Sequence, residues 1–115
     1  MGDLSPNFSA AEFTCRHCRL LVGPDLQLVN VLQRVRNHVG LPLRIVSGYR
    51  CRAHNAAVGG STRSQHLTGR AADVPGWFAP RAVWQEAGAT GVGVREGLVV
   101  HVDVRRDVGK IVFRD

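Results

Sequence analysis

The chain is poor in several residue types. Lys110 is its only lysine, Tyr49 its only tyrosine and Met1 its only methionine, and aromatic residues fill 6% of its 115 positions. No apolar run approaches the ~20 residues that a spanning helix needs, so membrane insertion is not expected. The opening Met1-Gly2-Asp3-Leu4-Ser5-Pro6 lacks the basic stretch and apolar block of an export signal. The chain as it stands is therefore expected to be made in the cytoplasm or to be trimmed. Three cysteines are too few for a disulfide scaffold and cannot all pair within one chain. Repeats, low-complexity tracts and linkers are missing as well, which favours a single domain over residues 1–115.

What is abundant is arginine. Fifteen Lys+Arg against nine Asp+Glu give a net charge of +6, and all but Lys110 of the basic residues are arginines. Such a surface suits polyanions, whether nucleic acid, an anionic membrane surface or the acidic polymers of a bacterial wall. Nucleic acid is not the expected partner, because the arginines are scattered and no aromatic-rich strand interleaves with them. Cys15-Arg16-His17-Cys18 has the gap of a zinc knuckle or a redox pair, with only Cys51 to add. The options are one disulfide plus a free thiol, three buried thiols, or a Cys-rich site using His17. Free thiols or one local disulfide are expected, since no further pair completes a tetrahedron.

Ser9-Ala10-Ala11-Glu12 has the spacing of a capping box, so a short helix or turn is expected from residue 9. Pro24-Asp25 opens a longer helix with Leu28, Leu32, Val35 and Val39 on one face, stopped by Gly40 and Pro42. Leu43–Val46 reads as a strand. A short helix over Cys51–Val58 should end at Gly59-Gly60, residues 61–70 read as a loop, and Ala71–Val74 as a short strand. Pro80 opens a helix that carries Val83, Trp84 and Ala87 inward as far as Gly88. Gly91-Val92-Gly93 and Gly97 read as turns around a hairpin. Leu98–Val104 alternates, placing Val99, His101 and Asp103 on one face and Leu98, Val100, Val102 and Val104 on the other. Ile111–Phe113 is expected to pair with that strand through a turn at 105–110. Early helices and late strands predict an α+β fold, a small and mainly antiparallel sheet packed against helices.

A valine-rich strand that admits a histidine and an aspartate has given up apolar area, and buried polar groups need partners. A neutral imidazole finds a strong one in a metal. His66 lies in a polar loop and Asp73 seven residues on, enough chain to bring both to one point with His101. Two histidines and an aspartate close three corners of a zinc tetrahedron and leave the fourth to water. Spacing alone leaves open a plainer reading, with His66 on the surface, Asp73 in a turn and His101 hydrogen-bonded in the core.

Ser47-Gly48-Tyr49-Arg50, Asn55, Val58-Gly59-Gly60, Ser64-Gln65-His66, Gly69-Arg70-Ala71-Ala72-Asp73 and Val100-His101-Val102-Asp103 closely resemble the zinc-dependent D-alanyl-D-alanine carboxypeptidase family. That family includes phage endolysins cutting the peptide stems of peptidoglycan, and its fold is shared with the hedgehog signalling domain. Leu4-Ser5-Pro6-Asn7-Phe8 to Glu12-Phe13 and the helix before Pro42 extend the likeness to its short forms. The resemblance implies one Zn2+ held by His66, Asp73 and His101. Arg50 stands at the family's active-site arginine, suited to a substrate carboxylate or carbonyl. Ser64, Tyr49 and Gln65 fall in motifs beside the site and are candidate substrate contacts. Many relatives carry an acidic residue three positions before the last zinc histidine; here that position is Leu98. Asp103 is then expected as general base or as orienter of the metal site, with Glu96 as the other candidate.

The implied activity is amide hydrolysis in peptidoglycan stem peptides, as a D-Ala-D-Ala carboxypeptidase or an endopeptidase, by a monomer acting on the wall in the manner of a phage lysin or of a trimmed secreted domain. A catalytically silent wall-binding module of the same fold is the first alternative, favoured if neither Asp103 nor Glu96 reaches the metal-bound water. A small basic nucleic-acid binder is the second, and it predicts salt-dependent affinity and no tightly held metal.

Overall fold

In the computed structural model, which describes residues 2–106 and 109–115, Asp25 caps helix α1 (Leu26–Val39) by accepting from Gln27 N at 2.8 Å. Gly40 ends it in the left-handed region at φ 77, its N–H donating to Arg36 O at 2.9 Å. A Cβ at Gly40 would meet nothing within 4 Å, so backbone strain is the only cost of a side chain there. Gly40→Ala should therefore lower stability by about 1 kcal/mol, read as a shifted denaturant midpoint at unchanged m-value. Leu28, Leu32 and Val35 along α1 are fully buried, as their spacing predicts.

Helix α2 (Arg52–Ala57) follows the Ser47–Arg50 segment, and α3 (Arg81–Glu86) starts directly after Pro80. Ser9 N donates to Glu12 Oε2 at 2.7 Å at the head of a 3-10 turn over Ala10–Phe13. The sheet contains β1 (Ala71–Asp73), β2 (Gly91–Arg95), β3 (Leu98–Asp103) and β4 (Ile111–Arg114) in the order β1-β3-β2-β4. The fold is α+β with a mostly antiparallel sheet, as expected.

The pairings correct four sequence expectations. Gly91-Val92-Gly93 is strand, not turn, and forms the first part of β2 between β3 and β4. β4 pairs with β2 in parallel rather than with β3, Val92 facing Val112 and Gly93 facing Phe113. The expected turn at 105–110 includes residues 107 and 108, which lie outside the described residues. Leu43–Val46 is not a ladder strand: Leu43 and Ile45 point inward, but hydrogen bonding to the sheet is confined to Val46 N and Ser47 O against Asp73. Val99 joins the core instead of the His101 face, because a bulge at Gly93/Val94 sets it opposite Val94. His101 and Asp103 do share a face.

Strand alternation divides the sheet. Ala72, Val92 and Val102 turn to one side and are buried with α1, Phe78 and the fully enclosed Trp84. Trp77, by contrast, is 66% exposed. The other side carries Asp73, His101, Asp103 and Phe113 at adjacent register positions.

Candidate metal centre

Residues 65–68, expected as loop, form a single 3-10 turn whose N-cap is Ser64, the Oγ accepting from His66 N at 3.2 Å. This turn presents the fully buried His66 ring to β1 and β3. Nε2 of His66 lies 3.1 Å from Asp73 Oδ1, and Nδ1 of His101 lies 3.4 Å from the same oxygen. The two rings meet edge-on with centroids 5.1 Å apart. One ligand atom from each of His66, Asp73 and His101 falls within 4.8 Å of the others.

The outer nitrogens determine which tautomers face inward. His66 Nδ1 is 2.7 Å from Gly48 O, a carbonyl that can only accept, so Nδ1 carries the proton and Nε2 offers a lone pair. His101 Nε2 lies 2.8 Å from Asp103 Oδ2, which places its proton there and frees Nδ1. Two imidazole lone pairs and a carboxylate oxygen thus converge with no proton between them. A cation satisfies all three, so the residues present fit a metal; without one, protons must substitute.

The titration directions agree. Burial would raise the Asp73 carboxyl, but the His101 and His66 imidazoles reverse this and hold it well below the usual carboxylate range. Burial would lower His101; Asp103 and then Asp73 outweigh it and raise the imidazole above its ordinary value. Metal uptake displaces that proton, so affinity weakens as pH falls through the raised His101 value.

Asp103 is fully buried behind His101. Its Oδ1 accepts from Arg105 Nε at 2.8 Å and from Arg105 N at 3.1 Å, while Oδ2 accepts from Arg105 Nη2 and from His101. Burial would raise this carboxyl too, and Arg105 followed by His101 drive it well below the carboxylate range. The guanidinium of Arg105 also sits 5.0 Å above the Phe113 ring.

A cleft of about 640 Å³ opens over the centre. Arg50, Ser64, Gln65, His66, Asp73 and His101 line it, with Arg63, Arg95, Arg105 and Arg114 adding positive charge. Arg50 Nη2 stands 3.9 Å from Asp73 Oδ2. Arg50 Nε and Gln65 Oε1 are both buried without a hydrogen-bond partner among the described residues. Asp73 and Asp115 are the carboxylates among the described lining residues; Asp103 and Glu96 are not in the wall. Glu96 lies in the β2–β3 turn at φ 53 and faces a different cleft. Tyr49 lines a separate groove with Ser64 and Gln65, and Leu98 packs against Gly76.

Arg105, Phe113, Gly91 and Gly93 belong to the site, although the sequence reading gives none of them a role in it. Arg105 had a signal, since continuing the alternation of His101 and Asp103 leads to it.

A family model described as Peptidase M15 matches residues 6–103. No curated protein matches the chain.

Proposed function

The chain belongs to the peptidase M15 family, whose members are zinc-dependent metallopeptidases, and we propose that it hydrolyses amide bonds in the stem peptides of bacterial peptidoglycan. The observation that carries this reading is the convergence of the His66, Asp73 and His101 lone pairs on the floor of an arginine-walled cleft. Zinc bound there supplies a water acidified towards neutrality and a Lewis acid for the scissile carbonyl.

The chain's own groups do the rest. Arg50 lines the cleft, and its planar guanidinium suits a substrate carboxylate or carbonyl. Gln65 lines the cleft beside Arg50 and is a candidate substrate contact, and Ser64 fixes the turn that carries His66. The remaining arginines draw anionic wall polymer to the cleft. Asp103 acts through His101, holding its Nε2 proton so that Nδ1 stays available, which is positioning rather than proton transfer. Asp103→Asn should therefore lower metal affinity and peptidase activity together, by roughly 10–100-fold, with the acidic limb of the pH profile still present but moved to lower pH as His101 loses its neighbouring charge. Loss of the acidic limb of that profile at unchanged metal affinity would instead make Asp103 the base.

A second reading, a silent wall-binding module, is favoured by one observation: neither Asp103 nor Glu96 lines the cleft. Digestion of purified peptidoglycan separates the two. Zinc-dependent release of peptide or D-alanine, detected by mass and abolished by chelation, is expected of the enzyme; binding to the wall without release leaves the silent module.

A further inference from the structure

A second cluster of metal-binding side chains lies away from the cleft. The sulfurs of Cys15, Cys18 and Cys51 are within 4.8 Å of one another, and none is in a disulfide. His17 Nδ1 is 3.5 Å from Cys51 Sγ. In a zinc tetrahedron with Zn–S of 2.3 Å and Zn–N of 2.0–2.1 Å, a sulfur and a nitrogen ligand stand about 3.5 Å apart and two sulfurs about 3.8 Å. The three sulfurs therefore need a contraction of at most about 1 Å, and His17, which is close to Cys51 but outside the 4.8 Å set, must turn its ring toward the other two. Free thiols or a local disulfide are expected from the sequence for want of a further ligand pair; in the structure Cys51 joins Cys15 and Cys18, with His17 beside it.

The backbone around the sulfurs is arranged for anions. Residues 15–20 close a tight turn in which Cys15 N donates to Leu20 O at 2.8 Å and Arg19 N to Cys15 O at 3.0 Å, with Arg19 left-handed at φ 63. Cys51 N donates to Cys15 Sγ at 3.4 Å, and His54 N donates to Cys51 Sγ at 3.4 Å. A thiol is a weak acceptor, so amide donors aimed at two of the three sulfurs favour thiolates. Thiolates this close repel one another unless a cation lies between them, and a closed set of soft sulfur ligands with one imidazole is the donor set of structural zinc.

We propose that Cys15, Cys18, Cys51 and His17 hold a second, structural zinc ion. It ties the 15–18 turn, thirty-odd residues away in sequence, to the start of α2. Cys51 directly follows Arg50, whose N–H donates to His66 O at 3.2 Å, so the ion also fixes the backbone that carries a cleft arginine. The inference is independent of the substrate assigned to the cleft.

Elemental analysis of the full chain, purified under reducing conditions, should find two zinc ions per chain in the wild type and one in Cys18→Ser. Cobalt replacing zinc should produce strong sulfur-to-metal charge-transfer absorption in the near ultraviolet. That band should persist in His66→Ala, which strips only the cleft site, and vanish in Cys18→Ser. His17→Ala should release the second ion to a chelator at least tenfold more readily while the band remains; unchanged retention removes His17 from the ligand set. A single ion per chain with no charge-transfer band, iron in place of zinc, or three thiols that all react freely before chelation overturns the proposal. Should Cys18→Ser fail to fold, the wild-type cobalt spectrum decides alone.

Discussion

His66→Ala should abolish metal binding in the cleft and reduce peptidase activity by more than about a thousandfold, because residues that merely orient a metal ligand are already worth roughly 10–100-fold. Three features make this histidine irreplaceable. Its Nδ1 is committed to Gly48 O, its Nε2 faces Asp73, and its ring is completely enclosed against His101. Alanine removes one corner of the ligand set and leaves the Gly48 carbonyl without its donor. A glutamine could restore a hydrogen bond to that carbonyl but could not also supply the inward lone pair at the same position. The measurements are zinc content of the purified variant and release of peptide from peptidoglycan. Activity near wild type would place the reactive metal elsewhere.

Gly91→Ala should damage stability and the metal centre together. Gly91 pairs with Asp103 in the β2–β3 register, and a Cβ there would overlap both carboxylate oxygens and lie 2.5 Å from Cγ. The carboxylate has nowhere to go, with Arg105 on one side and His101 on the other. Displacing it separates a buried ion pair, which costs roughly 3–5 kcal/mol. For a chain of this size that corresponds to a fall in Tm of roughly 10–20 °C. Because Asp103 holds His101, zinc affinity should fall with it. A variant with wild-type Tm and wild-type zinc affinity would show that the carboxylate is not held as described.

The contrast between these two positions explains what could be read from the sequence. His66, Asp73 and His101 carry unusual chemistry in distinctive surroundings, and the structure brings them together. The periodicity of α1 was equally plain, since a helix that lays Leu28, Leu32 and Val35 on a core repeats its pattern. Gly91 and Gly93 misled because closely spaced glycines ordinarily signal a turn. Here each lies opposite a site residue, Gly91 under Asp103 and Gly93 under His101, and the missing side chains make room for those two. That requirement comes from a partner strand and leaves no local mark. The parallel pairing of β4 was hidden for the same reason: adjacency in sequence favours a hairpin, and only the centre of the sheet reveals that β2 was the available edge. Leu43 and Ile45 alternate like a strand because their side chains are buried like one, although the backbone joins the sheet only at its end.

The strand order β1-β3-β2-β4 also governs when the cleft can acquire its ion. Asp73 ends β1, and its register partner His101 is on β3, with α3 and β2 lying between them in the chain. No partly folded form without a docked β3 possesses the third ligand. The metal site is therefore a product of nearly complete folding of this sheet, and a chain still emerging from the ribosome carries no functional centre until β3 has been made and docked.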